Sequence, residues 1–481
     1  MSFRFVWHDY ETFGTDAARD RPSQFAARCT NAELEPIGAP LVLYCRPPID
    51  VLPHPEACLI TGITPQLARD EGVPEYEFAR QINALFSVPG SCGAGYNSIR
   101  FDDEVTRHLL YRNFYEPYLR EWFGGNSRWD LIDVVRLWHA LRPAGLNWPI
   151  GDNGATTFKL ERLSAENGLV HKRAHDALSD VDATIALARR LREAQPRLFE
   201  HALKLRDKKF AATLMNVHEM TPVVHVSSKI PALRGCLAVI APIAQHPTNA
   251  NCVLCFDLSH DVDELLELDA EDLRDRIFAS DDELPEGLTR LPLKGVHLNK
   301  SPMLSPLAAL RGDDAARWNI DLAGCIANRD RLYAERDALR IKVQAVFAQP
   351  PRDSADPELS LYAGFLPDAD KPRLARARDA GPDSIARLHG SFSDPRYDTL
   401  LFRYRARHYP DTLDDDEREQ WRDFVARKLR YDTGLAGLTL PAFREHVAEL
   451  AARESNPERL RVLSALAVWP EESGLESLLR G

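Results

Sequence analysis

The sequence predicts an α/β layered domain followed by a small β-rich domain and an α-helical tail. Three patterns carry this expectation. Strand signals interleave with helix-period segments up to residue 195, short β-like segments fill 196–349, and helical periodicity dominates from Leu359 onward. Residues 3–12 read as a strand with Phe3, Phe5 and Trp7 on one face, and 24–30 and 40–46 as two more strands separated by a turn-like 31–38. Thr64-Pro65 supplies an N-cap and a first-turn proline to a short helix over 66–70. Residues 75–86, 103–114 and 130–141 have helical periodicity, and 92–96 is a short buried strand. A last helix, 176–194, carries the apolar stripe Leu178, Val181, Ile185, Ala188 and Leu191. Gln195-Pro196 stops that helix. The β-like segments beyond it are 223–226, 236–241, 252–258 and 291–298, around an acidic stretch, 261–286, that is helical in its middle; a helix follows near 328–347. The prolines at 350, 351 and 357 mark a linker, after which 384–388, 397–407, 414–430, 440–453 and 457–467 read as helices. The expected domains are 1–195, 196–349 and 350–481.

Composition narrows the function classes. The chain has 481 residues, 44% hydrophobic and 27% charged, which suits a globular protein of about three domains at roughly 150 residues each. Its longest apolar stretch, 235–244, contains Pro242 and falls far short of the roughly 20 residues of a membrane span. Arg4, His8, Asp9 and Glu11 stand where a secretory signal would be apolar, and eight irregularly spaced cysteines make no disulfide framework. A reduced, cytoplasmic protein is expected. Sixty basic against 72 acidic residues give a net charge of −12, which argues against nonspecific coating of nucleic acid. A local basic groove and a carboxylate-bound cation are both compatible with that balance. Cys252 and Cys255 face opposite sides of a strand and have no matching Cys or His pair, so core packing is expected rather than a zinc site.

Three groups of residues carry chemistry. In Asp9-Tyr10-Glu11, residues i and i+2 of a strand share a face, so two carboxylates project together while Tyr10 turns away. Like charges that close repel unless a cation lies between them or one is protonated, and hard oxygen donors suit Mg²⁺ or Mn²⁺. The plainer alternative, an exposed edge strand, is weakened by the apolar 3–7 flank. His175 precedes a helix whose first turns hold Asp180: an imidazole that can take a proton from water, and an acid that can hold a metal. Read alone, these are a loop histidine and an ordinary first-turn acid. Asp102, in Tyr96-Asn97-Ser98-Ile99-Arg100-Phe101-Asp102, follows a buried strand, where α/β folds place ligands.

The ordered set Asp9, Glu11, Asp102, His175 and Asp180 resembles the DEDDh exonuclease superfamily, whose fold is ribonuclease H-like. Within it the closer resemblance is to the bacterial exodeoxyribonuclease I family. It extends over nearly the whole chain, through HDYETFG (8–14), RPSQFAA (21–27), LITGITP (59–65), GYNSIRFDDEVTR (95–107), YRNFY (111–115), NSRWDLIDV (126–134), HDALSD (175–180), VHLNKSP (296–302) and RYRAR (403–407). The resemblance implies Mg²⁺-dependent 3′→5′ hydrolysis of single-stranded DNA to 5′-mononucleotides, in DNA repair and recombination. It also implies an SH3-like middle domain and a helical C-terminal domain that close over the strand and favour processivity. Asp9, Glu11 and Asp180 would hold two ions, with Mn²⁺ able to substitute, and Asp102 would complete the site. His175 would be the general base, and Glu11 would also approach the terminal 3′-hydroxyl.

Positions matching the family's DNA contacts are Arg107, Tyr118, Trp122, Arg136, Asn251, Lys294 and Asn299. Interleaved rings and guanidinium groups suit stacked bases and phosphates, while core packing is the competing reading for Tyr118 and Trp122. Lys159 stands where the pattern has arginine, keeping the charge but losing the two-pronged fork. Arg142 and Arg311 match basic positions that take the acidic C-terminal tail of single-stranded-DNA-binding protein, with His201 and Thr221 replacing an aromatic residue and a lysine there. A monomer is expected. An RNA exonuclease of the superfamily should lack residues 196–481, and a noncatalytic scaffold should have lost part of the acidic set.

Overall fold

The computed structural model describes residues 3–171, 175–285, 287–348 and 356–480. The chain is mixed α/β with a helical C-terminal part, and it forms two compact units. One unit gathers 1–126, 172–182 and 351–481; the other gathers 127–171 and 183–350. Among the described residues no helix is long and apolar enough to cross a membrane, and all eight cysteines are buried.

In the first unit β1 (Arg4–Thr12) is an interior strand. It pairs antiparallel with β2 (Pro22–Thr30), which pairs antiparallel with β3 (Pro36–Tyr44). Helices α1 (Pro55–Thr61), α2 (Pro65–Glu71) and α3 (Glu75–Phe86) follow. The next strand, β4 (Ser91–Gly95), lies parallel to β1 and leads into α4 (Asp102–Arg112). Thr64 caps α2 as expected, its side chain accepting the Leu67 amide at 3.2 Å. The third strand begins four residues earlier than the sequence suggests. Residues 36–40 are all exposed, so they carry no apolar signal, yet Thr30 pairs with Pro36 and Cys29 with Ile37. Periodicity also misses α1, a short helix opened by Pro55 after His54.

The helices of the first unit beyond residue 356 share its core with the N-terminal segments. Phe13, Leu52, Cys58 and Ile63 pack with Trp421, Val425, Phe443 and Leu466. A buried ionic network runs alongside. Arg21 donates to Glu358 at 2.6 Å, Arg407 to Glu358 at 2.9 Å and to Asp50 at 2.7 Å, and Lys428 to Asp50 at 2.8 Å. Arg403 joins Asp356 and Glu358, and Arg112 joins Glu75 at 3.0 Å. Each buried charge meets opposite charge, the condition under which such groups are tolerated. The network grips Arg21, at the mouth of β2, and so fixes the loop leaving β1.

In the second unit β5 (Ser127–Asp130) runs into α5 (Leu131–Leu141), capped by Asp130 on the Ile132 amide; α6 (Leu160–Glu166) follows. The last helix of the leading region, α7 (Ala177–Ala194), whose residues up to Asp182 belong to the first unit, starts one residue later than expected and buries Val181, Ile185, Ala188 and Leu191. Pro196 does not end helical structure, because it opens a new helix, Pro196–Lys204. The β-rich sheet has the order β10-β6-β7-β8-β9, from β6 (Val223–Val226), β7 (Leu237–Gln245), β8 (Cys252–Asp257), β9 (Leu293–His297) and β10 (Met303–Pro306). All its pairs are antiparallel, and the register shifts between Pro242 and Ala244, where proline cannot donate to a ladder. The expected helix near 328–347 is two, Leu322–Ala334 and Arg336–Phe347, and the second packs on β7. Most of the expected linker, 349–355, lies outside the described residues. Beyond it 397–407 and 457–467 extend to Pro395–His408 and Pro457–Glu472, 440–453 is as expected, 414–430 starts one residue later at Asp415, 384–388 is a short helix Pro382–Ile385 with a 3-10 turn after it, and Lys371–Asp379 and Leu475–Arg480 are added.

Candidate active site

The site is built on the face of β1 opposite Tyr10. Tyr10 packs into the core with Phe25 and Phe78, so alternation sends Asp9 and Glu11 to the other face. Glu11 is buried and Asp9 half-buried. The β1–β4 pairing ends at Trp7 and Ala94, and the Tyr10 amide donates to Asp102 Oδ1 at 2.9 Å. That bond draws the first residue of α4 up to the acidic strand. The turn leaving β1 needs a glycine: a Cβ on Gly14 would lie 2.1 Å from Asp20 Oδ2.

His175 and Asp180 arrive from the N-terminal end of α7. His175 is exposed, with a left-handed backbone (φ 64°), and its amide donates to Asp180 Oδ2 at 3.2 Å. One ligand atom from each of Glu11, His175 and Asp180 lies within 4.8 Å of the others. Burial lifts the Asp9 carboxyl well above the usual range, and Asp102, Glu11 and Asp180 lift it further. Burial, then Asp180 and Asp176, push Glu11 up to about 8. Asp176 is a further carboxylate facing Glu11, which spacing alone does not separate from a helix-start acid. Asp9 and Glu11 are thus raised by burial and by the carboxylates around them, a repulsion that a cation relieves, and the hard oxygen donors fit Mg²⁺ or Mn²⁺. The donor set therefore fits the expected metal.

Elsewhere in the first unit, Arg107 lies on α4 with its guanidinium turned to Glu121 (2.7 and 2.9 Å) and Glu104 (2.6 Å), and stacked 5.3 Å from the Tyr118 ring. Tyr118 is half-buried against Tyr362 and Phe365, and Trp122 is 64% exposed beside the exposed Phe123. Tyr362 and Phe365, 53% and 87% exposed, were not singled out by sequence reasoning. Two rings in a non-helical stretch between helices were their available signal.

The remaining positions belong to the second unit. Arg136 is held by Asp133 at 2.7 Å and lies 5.5 Å from the Phe158 ring, whereas Lys159 is exposed just before α6. Asn251 lies at the mouth of β8, where its Oδ1 accepts from Lys208 at 3.2 Å. Burial lowers the Lys294 ammonium on β9, and exposed Asn299 offers its carbonyl to Arg128 at 3.0 Å. Arg142 reaches Asp314 at 3.1 Å and the Ala309 carbonyl at 3.0 Å; burial and nearby Arg311 lower it. Arg311 itself is exposed at the start of Gly312–Arg317. His201 meets the Leu304 carbonyl at 2.7 Å, and Thr221 is exposed. Cys252 and Cys255 are buried on β8, where burial pushes the Cys252 thiol up to about 11 and also raises Cys255.

Family models match along the chain: exonuclease over residues 6–188, exonuclease I SH3-like domain over 206–349, and exonuclease I C-terminal domain over 355–473. Exodeoxyribonuclease I of Escherichia coli (strain K12) is 47% identical over 421 residues, 87% of this chain and 88% of its own. The structure of a moderately thermophilic exonuclease I from Methylocaldum szegediense superposes with a TM-score of 0.92 at 47% identity, covering 99% of this chain and 100% of that one. E. coli exonuclease I in complex with a dA16 oligonucleotide gives 0.92 at 43% identity, covering 98% and 100%. A zinc-ion-bound E. coli exonuclease I complex with single-stranded DNA and a structure of SSB/exonuclease I with an inhibitor are each 42% identical, with TM-scores of 0.92 and 0.91, and cover 98% of this chain and 100% of theirs. Exonuclease, exonuclease I SH3-like and exonuclease I C-terminal domains thus match in this order along a chain 47% identical to an exodeoxyribonuclease I over most of its length, and the chain belongs to the exodeoxyribonuclease I family.

Proposed function

We propose that the protein is a Mg²⁺-dependent 3′→5′ exodeoxyribonuclease that degrades single-stranded DNA processively to 5′-mononucleotides by two-metal hydrolysis. The observation that carries this reading is the convergence of Glu11, His175 and Asp180 beside Asp102 and the raised Asp9 carboxyl. Asp9, Glu11 and Asp180 would hold two Mg²⁺ ions, or Mn²⁺ in their place, with Asp102 completing the site. Bound ions would supply positive charge to the scissile phosphate and to the departing oxygen. His175, exposed at the N-terminal end of α7, would accept the proton of the attacking water. Water oxygen joins phosphorus, the P–O3′ bond breaks, and the released nucleotide keeps its 5′-phosphate. Glu11 would also hold the terminal 3′-hydroxyl.

The strand would stack on Tyr118, Trp122, Tyr362 and Phe365, with Arg107 among these rings. Arg136, Lys159, Asn251, Lys294 and Asn299 would contact its backbone, Lys159 meeting the terminal phosphate as a point charge. Arg142 and Arg311 would receive the acidic tail of single-stranded-DNA-binding protein; a structure of SSB/exonuclease I supports the pairing. We assign the activity to domain 1–195, with 196–349 and 350–481 guiding DNA, in a cytoplasmic monomer serving repair and recombination.

Matched DNA and RNA oligonucleotides, labelled at either end and incubated with and without Mg²⁺, test the reading. Release of 3′-terminal mononucleotides from single-stranded DNA alone, and only with metal, is expected. Release from the 5′ end, preference for RNA, or cleavage in chelator would overturn it.

A further inference from the structure

Resting on this reading of the site, we infer that Gln24 is a positioning residue: its side chain sets the catalytic end of α7 in register with the acidic strand. The antiparallel register places Gln24 opposite Glu11, Ala26 opposite Asp9 and Arg28 opposite Trp7. Directly opposed residues share a face of the sheet, with Cβ atoms about 4.5–5.5 Å apart. One row of β2 therefore lies beside the row of β1 that carries the acids. Gln24 is buried, and its Oε1 accepts the amide of Ala177 at 3.3 Å. Ala177 opens α7 and is itself buried, so its amide is one of the first-turn donors without a partner inside the helix. The carboxamide replaces that partner. His175 lies two residues before this bond and Asp180 three residues after it.

A second anchor lies along the same row. Arg28 forks Asp182, Nε to Oδ1 at 2.6 Å and Nη2 to Oδ2 at 3.2 Å. Ala26, between the anchors, extends only a methyl group toward the face of Asp9, so the row grips the helix at two points and leaves the middle open. A carboxamide does this without placing another negative charge opposite Glu11, whose carboxyl is already raised by Asp180 and Asp176. Displacements of about 1 Å in a reacting group can lower rate on the order of 10²-fold. Gln24 would thus act on kcat through His175 and Asp180 while touching neither DNA nor the reacting atoms.

The test compares Gln24→Leu, which keeps bulk but loses the acceptor, with Gln24→Glu, which keeps the acceptor but adds a charge opposite Glu11 and is therefore read by hydrogen exchange alone. The readouts are kcat, single-stranded DNA affinity in chelator, melting temperature, and amide hydrogen exchange of the peptide spanning 175–182. For Gln24→Leu a fall of about 10–100-fold in kcat is expected, with DNA affinity within twofold of wild type, melting temperature unchanged, and faster exchange confined to 175–182. Gln24→Glu should keep wild-type protection there. Unchanged kcat and exchange in Gln24→Leu would overturn the inference. So would a kcat loss that comes with weaker DNA binding or faster exchange across the whole chain, since that marks a general structural role. Should the wild type fail to hydrolyse single-stranded DNA, the proposed function falls, while the exchange comparison still decides whether Gln24 holds α7.

Discussion

His175→Ala lowers turnover on single-stranded DNA by about 10²–10⁴-fold, the usual contribution of a positioned general base. DNA affinity measured in chelator stays close to wild type. The argument is geometric. The imidazole is exposed at the mouth of the acidic pocket, and it is the backbone amide of His175, retained in alanine, that bonds Asp180 at 3.2 Å. Removing the ring therefore removes a proton acceptor and leaves the carboxylates in place. The left-handed backbone (φ 64°) is the one complication, because alanine tolerates it less readily than asparagine. His175→Asn, which suits that conformation, should lose turnover equally. Wild-type turnover in either variant, or a loss in alanine that asparagine restores, removes His175 as the base.

Glu11→Gln abolishes Mg²⁺-dependent hydrolysis and at the same time stabilises the metal-free protein at alkaline pH. The sign follows from the proton balance. An ordinary glutamate releases its proton near 4.5, whereas burial, Asp180 and Asp176 hold that of folded Glu11 until about 8. Between these values the folded state binds more protons than the unfolded state, so metal-free stability falls as pH rises from about 4.5 to 8, and levels above it. The contribution reaches up to about 5 kcal/mol. Glutamine has no proton to lose. In chelator the variant should melt with the wild type at pH 5 and above it at pH 8, and Mg²⁺ should raise the melting temperature of the wild type more than that of the variant. Parallel melting curves for the two proteins across this range would show that Glu11 is not held under charge repulsion.

Local rules reach some of these residues and not others. Asp9 and Glu11 share a face because any strand alternates, and the apolar 3–7 flank rightly marks β1 as interior. Asp102 could be ranked by its place after a buried strand, but the bond that delivers it comes from Tyr10, 92 residues away in sequence. Gln24 and Asp176 had no local mark at all. The first gains its role from strand register and the second from where α7 lands, and both are tertiary facts. Arg107 is named through the family resemblance, while its partner Glu121, from a segment that the chain brings back, has no sequence signal. The exposed start of β3 failed for a simpler reason: an edge strand need not be apolar.

Crystals soaked in Mn²⁺ and measured at the manganese absorption edge test the central claim most directly. The account predicts anomalous peaks about 2 Å from carboxylate oxygens of Asp9, Glu11 and Asp180, with Asp102 and His175 closing around them. Manganese bound elsewhere, or none in this pocket at saturating metal, would contradict it.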